Sequence, residues 1–124
     1  MKICMSSKGM GSDAMLDPRF GRCAYFVIID SETEKVIDEF ENPAATADHG
    51  AGILAAQAVM EKEPAAVITG NVGPNASSVL HNADIKVYTF AGFEGTLLEA
   101  LAKFKKESPE AADGPTVDGH FGLE

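Results

Sequence analysis

Two arginines stand within four positions of each other in a chain that is otherwise acidic. They are Arg19 and Arg22, in the segment DPRFGRCAYF at residues 17–26, and the sequence contains no other arginine. A guanidinium group is a permanent cation with several N–H donors in a rigid plane, which suits it to carboxylates, phosphates and other anions. The pair therefore indicates half of an anion-binding site, with two solvated surface arginines as the alternative.

Charge is distributed unevenly along the chain, whose formal net charge is −9. Residues 1–23 carry four Lys or Arg against two Asp, whereas residues 24–124 carry six Lys against seventeen Asp or Glu. An acidic surface repels nucleic acid and anionic membranes, so we expect neither as a partner. No apolar run approaches the roughly 20 residues that span a bilayer, and the N-terminus lacks a signal-peptide pattern, so we expect a cytoplasmic protein.

Candidate nucleophiles and metal ligands are few. Cys4 lies in a strand pattern typical of a core residue, whereas Cys23 follows Arg22, whose charge would lower the pKa of the thiol. Asp48 is predicted to cap a helix, and His49 beside it would either bind a metal or simply face solvent. The cysteines and histidines lack close zinc-ligand spacing, and no base is visibly paired with Cys23 or His49, so we do not expect an enzyme.

The elements that would position these residues are three strands followed by alternating helices and strands. This order, β-β-β-α-β-α-β-α, predicts an α/β fold with a mixed five-stranded sheet in which the second and third strands form a hairpin. Residues 1–106 are expected to form one domain, and residues 107–124 a flexible acidic tail rich in Gly and Pro. The predicted strands are residues 2–6, 24–30, 35–41, 65–69 and 85–89. The predicted helices are residues 49–63, 74–82 and 94–106.

Apolar faces are predicted for the first and the last helix. In the first helix, Ile53, Leu54 and Val59 recur at helical spacing and are expected to face the core. In the last helix, Leu97 and Leu101 are expected inward, with lysines at the C-terminal end, where they complement the helix dipole.

Three glycine-containing loops are predicted to reach the carboxyl edge of this sheet. Ligands of open α/β sheets bind at this edge, where helix N-termini and exposed N–H groups attract anions. The loops predict that backbone amides supply the second half of the anion site, although each loop also fits an ordinary turn. The candidate binding residues are Ser7, Gly9, Gly11, Arg19, Arg22, His49, Gly50, Gly52, Gly70, Asn71, Gly73 and Asn75.

Residues 1 to about 105 resemble the dinitrogenase iron–molybdenum cofactor biosynthesis family. The resemblance lies in DPRFGRCAYFVIID and ENPA, then HGAGILAAQAV, and finally AAVITGNVGPNA and IKVY. The elements RFGR-x-x-YF and GPNA are specific when they occur together. The resemblance implies a three-layer ribonuclease H-like fold with a five-stranded mixed sheet, in agreement with the order of elements above.

The same resemblance implies a non-catalytic carrier of an anionic metal–sulfide cluster. It is greatest to small stand-alone members, which include a carrier of a molybdenum–copper sulfide cluster that is not covalently attached. That cluster is therefore the expected cofactor, and an iron–molybdenum cluster is less favoured. Matched to the family's motif, Phe20 and Gly21 join the two arginines in the site. His49 and Cys23 are the candidate metal ligands, although relatives often have another small residue at position 23.

Two other classes of function have to be weighed against a carrier. One is a metal-free interaction or regulatory protein whose loops dock a partner ATPase or another cofactor-assembly protein. The other is a nuclease, because the ribonuclease H-like fold also supports that activity. Nuclease chemistry needs carboxylates that converge on metal ions, one of them on the first strand. That strand supplies Cys4 and Ser6 and no Asp or Glu, so we do not expect a nuclease.

Overall fold

A mixed five-stranded sheet lies between two helices on one face and one helix on the other. The structure is a computed structural model that describes residues 1–117. The strands are β1 (Lys2–Ser7), β2 (Tyr25–Asp30), β3 (Val36–Glu41), β4 (Ala66–Thr69) and β5 (Lys86–Thr89). The helices are α1 (Ala51–Glu61), α2 (Pro74–Asn82) and α3 (Leu97–Glu107). The strand order is β3-β2-β1-β4-β5, with β1, β4 and β5 parallel and β2 antiparallel to both of its neighbours. The predicted fold class and hairpin are confirmed.

Two hydrophobic clusters hold the layers together because side chains alternate between the faces of a strand. On the α1 and α2 side, Cys4 and Phe26 are fully buried, which confirms Cys4 as a core residue. On the α3 side, Ile3 and Met5 pack with Leu101. The central strands β1 and β4 are buried on both faces, as the continuous apolar sequence of β4 predicts.

The buried face of α1 consists of small residues, which corrects the sequence prediction. Ile53 and Leu54 were expected in the core, but they are 38% and 43% exposed, whereas Ala55, Ala56 and Val59 are fully buried. Alanine side chains let the backbone of α1 approach the sheet and α2 closely, and the larger side chains would not fit in that gap.

The start of α1 also differs from the prediction. The helix begins after Gly50, which is the N-cap with φ of +70°, and no side chain caps it. Asp48 lies two residues earlier and is exposed, so it is not the cap. A positive φ is easy for glycine because glycine has no Cβ, and this turn directs the chain into α1. Within residues 1–117, no helix is long and apolar enough to cross a membrane.

Replacing Gly70 with alanine is expected to lower the free energy of unfolding by about 2 kcal/mol. A Cβ at this position would lie 2.6 Å from Pro18 Cα and 2.9 Å from Pro18 O, and a backbone cannot move aside as a flexible side chain can. Urea unfolding followed by circular dichroism measures the effect. Gly9→Ala is the matched control, because its Cβ would meet Ala14 Cβ at an ordinary 3.7 Å. Equal stability of the two variants would contradict the close packing at Gly70.

Candidate anion-binding site

Four loops meet at the edge of the sheet where β1, β4 and β5 end. Because β2 is antiparallel to β1, its first residue, Tyr25, lies beside Ser7 at the same edge, and Glu41 at the end of β3 pairs with Tyr25. The two arginines and the N-termini of all three helices therefore come to one edge, as the sequence predicts. The loops are residues 8–24, 42–50, 70–73 and 90–96.

The arginine loop (residues 17–23) lies across the ends of β1 and β4. The backbone N–H of Asp17 donates to Ser6 O at 2.9 Å, and the Ser6 hydroxyl donates to Asp17 O at 2.7 Å. Beyond β4, Asn71 N donates to Pro18 O at 2.8 Å. These bonds join the arginine loop to the β4–α2 turn (residues 70–73) as if it were a short additional strand.

Arg19 lies beside the β4–α2 turn, where its backbone pairs with that of Asn71 in a single parallel β-bridge. Its side chain is 48% exposed, and it donates twice to the buried Asp17, from Nε to Oδ1 at 3.4 Å and from Nη2 to Oδ2 at 3.5 Å. The backbone N–H of Arg19 donates to the same oxygen at 2.9 Å. Strong charge-assisted bonds are shorter, about 2.7–2.9 Å. Asp17 therefore orients the guanidinium without engaging it tightly, and an anion could compete for it.

Arg22 extends toward the segment that leads into α1. Its Nη1 donates to Ala45 O at 3.4 Å, and the residue is half-buried. The two arginines thus reach different sides of the edge, Arg19 beside the β4–α2 turn and Arg22 beside the approach to α1.

Asn42 fastens the arginine loop to the segment before α1. Its Nδ2 donates to Gly21 O at 3.0 Å and to Cys23 O at 2.9 Å, and its Oδ1 accepts from Ala44 N at 2.9 Å. The side chain is buried. The sequence predicts no role for Asn42, and its place in the ENPA motif was the available signal for a structural one.

The helices that flank the arginines begin differently from the third helix. The N-caps of α1 and α2 are Gly50 and Gly73, which have no side chain to accept a hydrogen bond, and neither first turn contains an acidic residue. The α3 helix instead has a capping box formed by Thr96 and Glu99. The positive ends of the α1 and α2 dipoles are therefore not compensated by their own first turns, which favours a bound anion.

The glycine loop after β1 turns away from the arginines. Leu97 N of α3 donates to Ala14 O at 2.9 Å, so the loop packs on the α3 side of the sheet. The amide of Gly11 donates to Glu39 Oε1 at 2.8 Å, and that of Gly9 donates to the Ser7 hydroxyl. These amides already have acceptors, so we do not retain Ser7, Gly9 and Gly11 in the site.

Two residues of the arginine loop point inward rather than toward solvent. Phe20 is 2% exposed and packs on Phe26 with ring centroids 5.1 Å apart, so it anchors the loop and does not line the site. Cys23 is fully buried, and its thiol donates to Phe20 O at 3.4 Å. Burial, and secondarily the charge of Asp17, raise the pKa of the Cys23 thiol well above its ordinary value. The prediction of a reactive thiol at Cys23 is therefore wrong.

Both cysteine thiols are expected to resist thiol–disulfide exchange with an external reagent in the folded protein and to react once it is unfolded. Burial also raises the pKa of Cys4. A thiol whose pKa is raised by folding stabilises the fold below its unfolded pKa, about 8.5, and that stability is lost as the pH rises further. Ellman's reagent measures the reactivity, and urea unfolding at pH 8 and pH 10 measures the stability. A fast-reacting thiol in the folded state would contradict the burial of Cys23.

His49 is exposed on the approach to α1, and Gly52 and Asn75 lie in the first turns of α1 and α2. In the part of the chain that the structure describes, no group of three or more His, Cys, Asp or Glu side chains is arranged to hold a metal ion. The geometry at this edge therefore offers cations and N–H donors to a guest, with His49 as an exposed imidazole nearby.

Comparison with known proteins identifies the family. The sequence model described as dinitrogenase iron-molybdenum cofactor matches residues 1–107, which is every element from β1 to the end of α3. The chain belongs to this family. Its candidate site lies wholly within the matched residues.

Solved structures and a sequence relative agree with this assignment. The apo form of the orange protein from Desulfovibrio gigas superposes with a TM-score of 0.84 and 37% identity, covering 94% of this chain and 96% of that one. A Thermotoga protein of the DUF35 family superposes with a TM-score of 0.73 and 35% identity, covering 89% and 91%. An uncharacterized protein of Methanocaldococcus jannaschii is 36% identical over 75 residues, which is 59% of this chain and 64% of that protein, less than two thirds of its length.

Proposed function

We propose that this protein is a non-catalytic carrier that holds an anionic metal–sulfide cluster at the carboxyl edge of its sheet. The observation that carries the proposal is the placement of Arg19 beside the β4–α2 turn and of Arg22 beside the segment before α1, since these two segments lead into helices with glycine N-caps. We call this site the cradle, and it comprises the two arginines, the β4–α2 turn and the first turns of α1 and α2. Membership of the family supports a metal–sulfur cluster as the guest.

The chemistry of the cradle suits such a guest. A thiometallate cluster is a large, soft anion with several charges, and its surface sulfurs accept hydrogen bonds from N–H groups. Guanidinium donors and helix dipoles stabilise that charge without a covalent bond. Of the nearby carboxylates, Asp17 is buried and paired with Arg19, whereas Asp48 is exposed two residues before the N-cap of α1. Of the two metal ligands that the sequence suggested, only the exposed His49 is retained, because Cys23 is buried.

A molybdenum–copper sulfide cluster is the proposed guest, and an iron–molybdenum cluster is the less favoured one. Such a cluster combines high negative charge with sulfide surfaces, which are matched by charge and hydrogen bonding rather than by a fixed set of protein ligands. Copper(I) prefers soft ligands, which the guest's own sulfides supply.

Uptake under anaerobic conditions tests the proposal. The full chain is mixed with tetrathiomolybdate and copper(I), separated from small molecules by gel filtration, and examined for visible charge-transfer bands and for its molybdenum and copper content. We expect coloured protein with a fixed metal ratio. Molybdate, which has the same charge but oxygen surfaces, is the control and should not be retained. Failure to retain molybdenum with tetrathiomolybdate would overturn the proposal.

A second candidate function is docking of a partner ATPase of cofactor assembly without metal. It is favoured by the exposure of Ile53 and Leu54 in α1, because large apolar side chains at a surface are typical of protein contacts. A complex of the metal-free chain with such a purified ATPase, lost in Ile53→Ser/Leu54→Ser, would support it. Metal uptake without any such complex would leave the carrier as the function.

A further inference from the structure

The segment that follows α3 returns to the cradle. After Glu107 the chain passes the outer edge of β5, where Ala112 N donates to Val87 O at 2.8 Å. It then reaches the β4–α2 turn, where Thr116 N donates to Val72 O at 2.8 Å. We call residues 108–117 the strap, because they run from the end of α3 around the edge of the sheet to the cradle. The sequence predicts a flexible tail over residues 107–124; Glu107 ends α3, residues 108–117 are bonded to two elements, and residues 118–124 lie outside the described residues.

The strap occupies a donor of the cradle. The amide of Val72 donates to Thr116 Oγ1 at 2.9 Å, and that hydroxyl also lies 3.4 Å from Asn71 Oδ1. Val72 belongs to the turn between β4 and α2. It follows Asn71, whose backbone pairs with that of Arg19. The Thr116 oxygen therefore accepts from an N–H group of the turn that forms part of the cradle.

No residue of the strap is fully buried, so displacing it disrupts little of the core. Ser108, Asp113, Pro115 and Thr116 are exposed. A cavity of about 330 Å³ lies between residues 111–113 and the surface formed by α2 and β5. Segments with little buried apolar surface open at low free energy.

The charge of the strap also opposes an anionic guest. Residues 108–117 contain Glu110 and Asp113 and no Lys or Arg. A bound anion and the strap therefore repel each other as well as compete for the same amide.

We infer that the strap is a displaceable competitor that limits the affinity of the cradle for its anionic guest and is released when the guest binds. The inference rests on the proposed function and concerns regulation of the same site. It follows from the hydrogen bonds of Thr116 to Val72, the exposure of the strap and its acidic charge. A carrier with such a strap would hold its guest less tightly and transfer it more readily.

Thr116→Val in the full chain tests the competition. The substitution keeps the shape of the side chain and removes the oxygen that accepts from Val72. Affinity for tetrathiomolybdate, measured by titration of its visible absorbance, is expected to rise about fivefold, the ratio that corresponds to the net contribution of one hydrogen bond. Thr33→Val is the control, since Thr33 accepts a single bond from Lys35 N on a turn at the opposite edge, and its affinity should be unchanged.

Amide hydrogen exchange of the wild-type chain provides a second measurement. Adding tetrathiomolybdate is expected to speed exchange at Ala112 and Thr116, which lose their acceptors when the strap leaves. Slower exchange there would show that the strap closes over the guest, and would overturn the inference. Equal affinity of Thr116→Val and wild type would overturn it as well while leaving the carrier proposal intact. If neither protein binds tetrathiomolybdate, the proposed function itself fails and this inference fails with it.

Discussion

Arg19→Glu/Arg22→Glu is expected to weaken tetrathiomolybdate uptake by about 100-fold or more. Each arginine offers charge-assisted hydrogen bonds worth about 1.5–3 kcal/mol, and losing both amounts to at least two factors of ten in affinity. The introduced carboxylates add repulsion at the edge where the α1 and α2 dipoles would otherwise attract the guest. Titration of the visible absorbance at low and high salt measures the affinity for tetrathiomolybdate. The difference in affinity between the variant and the wild type should be smaller at high salt, because salt screens exposed charges.

Lys35→Glu/Lys106→Glu is the matched control for this prediction. It changes the net charge of the chain by the same amount, but both lysines are exposed near the other edge of the sheet. Lys35 lies in the turn between β2 and β3, and Lys106 lies at the C-terminal end of α3. A glutamate at position 19 would repel the buried Asp17 and could disturb folding. Arg19→Gln/Arg22→Gln removes the positive charges without that repulsion, so it shows the loss of binding by itself. We expect the Gln variant to fold normally and to bind weakly. Unchanged uptake in the Gln and Glu variants would remove the arginines from the site.

Asn42→Asp is expected to lower the free energy of unfolding by about 3 kcal/mol or more and to abolish uptake at neutral pH. The Asn42 amide donates to the carbonyls of Gly21 and Cys23, and a carboxylate of the same shape has no hydrogen to donate. Two buried carbonyls would then face a buried negative charge. Asn42 joins the arginine loop to the segment before α1. Without its hydrogen bonds, the two arginines would no longer be held in a fixed arrangement.

The pH dependence of that variant makes the test sharper. A protonated carboxyl regains one O–H donor, so the folded state binds its proton more tightly than the unfolded state does. The stability deficit should therefore be smallest below the ordinary pKa of aspartate, about 3.9, and grow as the pH rises. Asn82→Asp, at the exposed end of α2, is the control and should change stability by less than about 0.5 kcal/mol. Similar urea midpoints for the two variants would contradict the role of Asn42.

The order and type of the elements could be predicted because they depend on local patterns. The apolar run at 65–69 predicts a strand buried on both faces, and β4 is such a strand. Pro74 predicts the start of α2 because it lacks the N–H that a first helical residue leaves unbonded, and α2 begins there. Chain direction then placed the glycine loops and the arginine loop at the carboxyl edge.

The orientation of α1 could not be predicted in the same way. Its sequence offers two apolar faces, one with Ile53 and Leu54 and another with Ala51, Ala55 and Ala56. Hydrophobicity favours the larger residues, but the space between α1, α2 and the sheet accepts only small ones. That space is set by elements far apart in the chain, so the choice between the faces is a property of packing.

By itself, the sequence determined that two cations and several glycine turns would share one edge of a mixed sheet. Only the tertiary structure decided which of those groups a guest could reach. Phe20 and Cys23 are drawn into the core, Gly9 and Gly11 turn toward α3, and Thr116 returns to cover an amide of Val72. The reason is physical: burial and hydrogen bonding join residues that are distant in sequence, and neither composition nor periodicity records which partners meet.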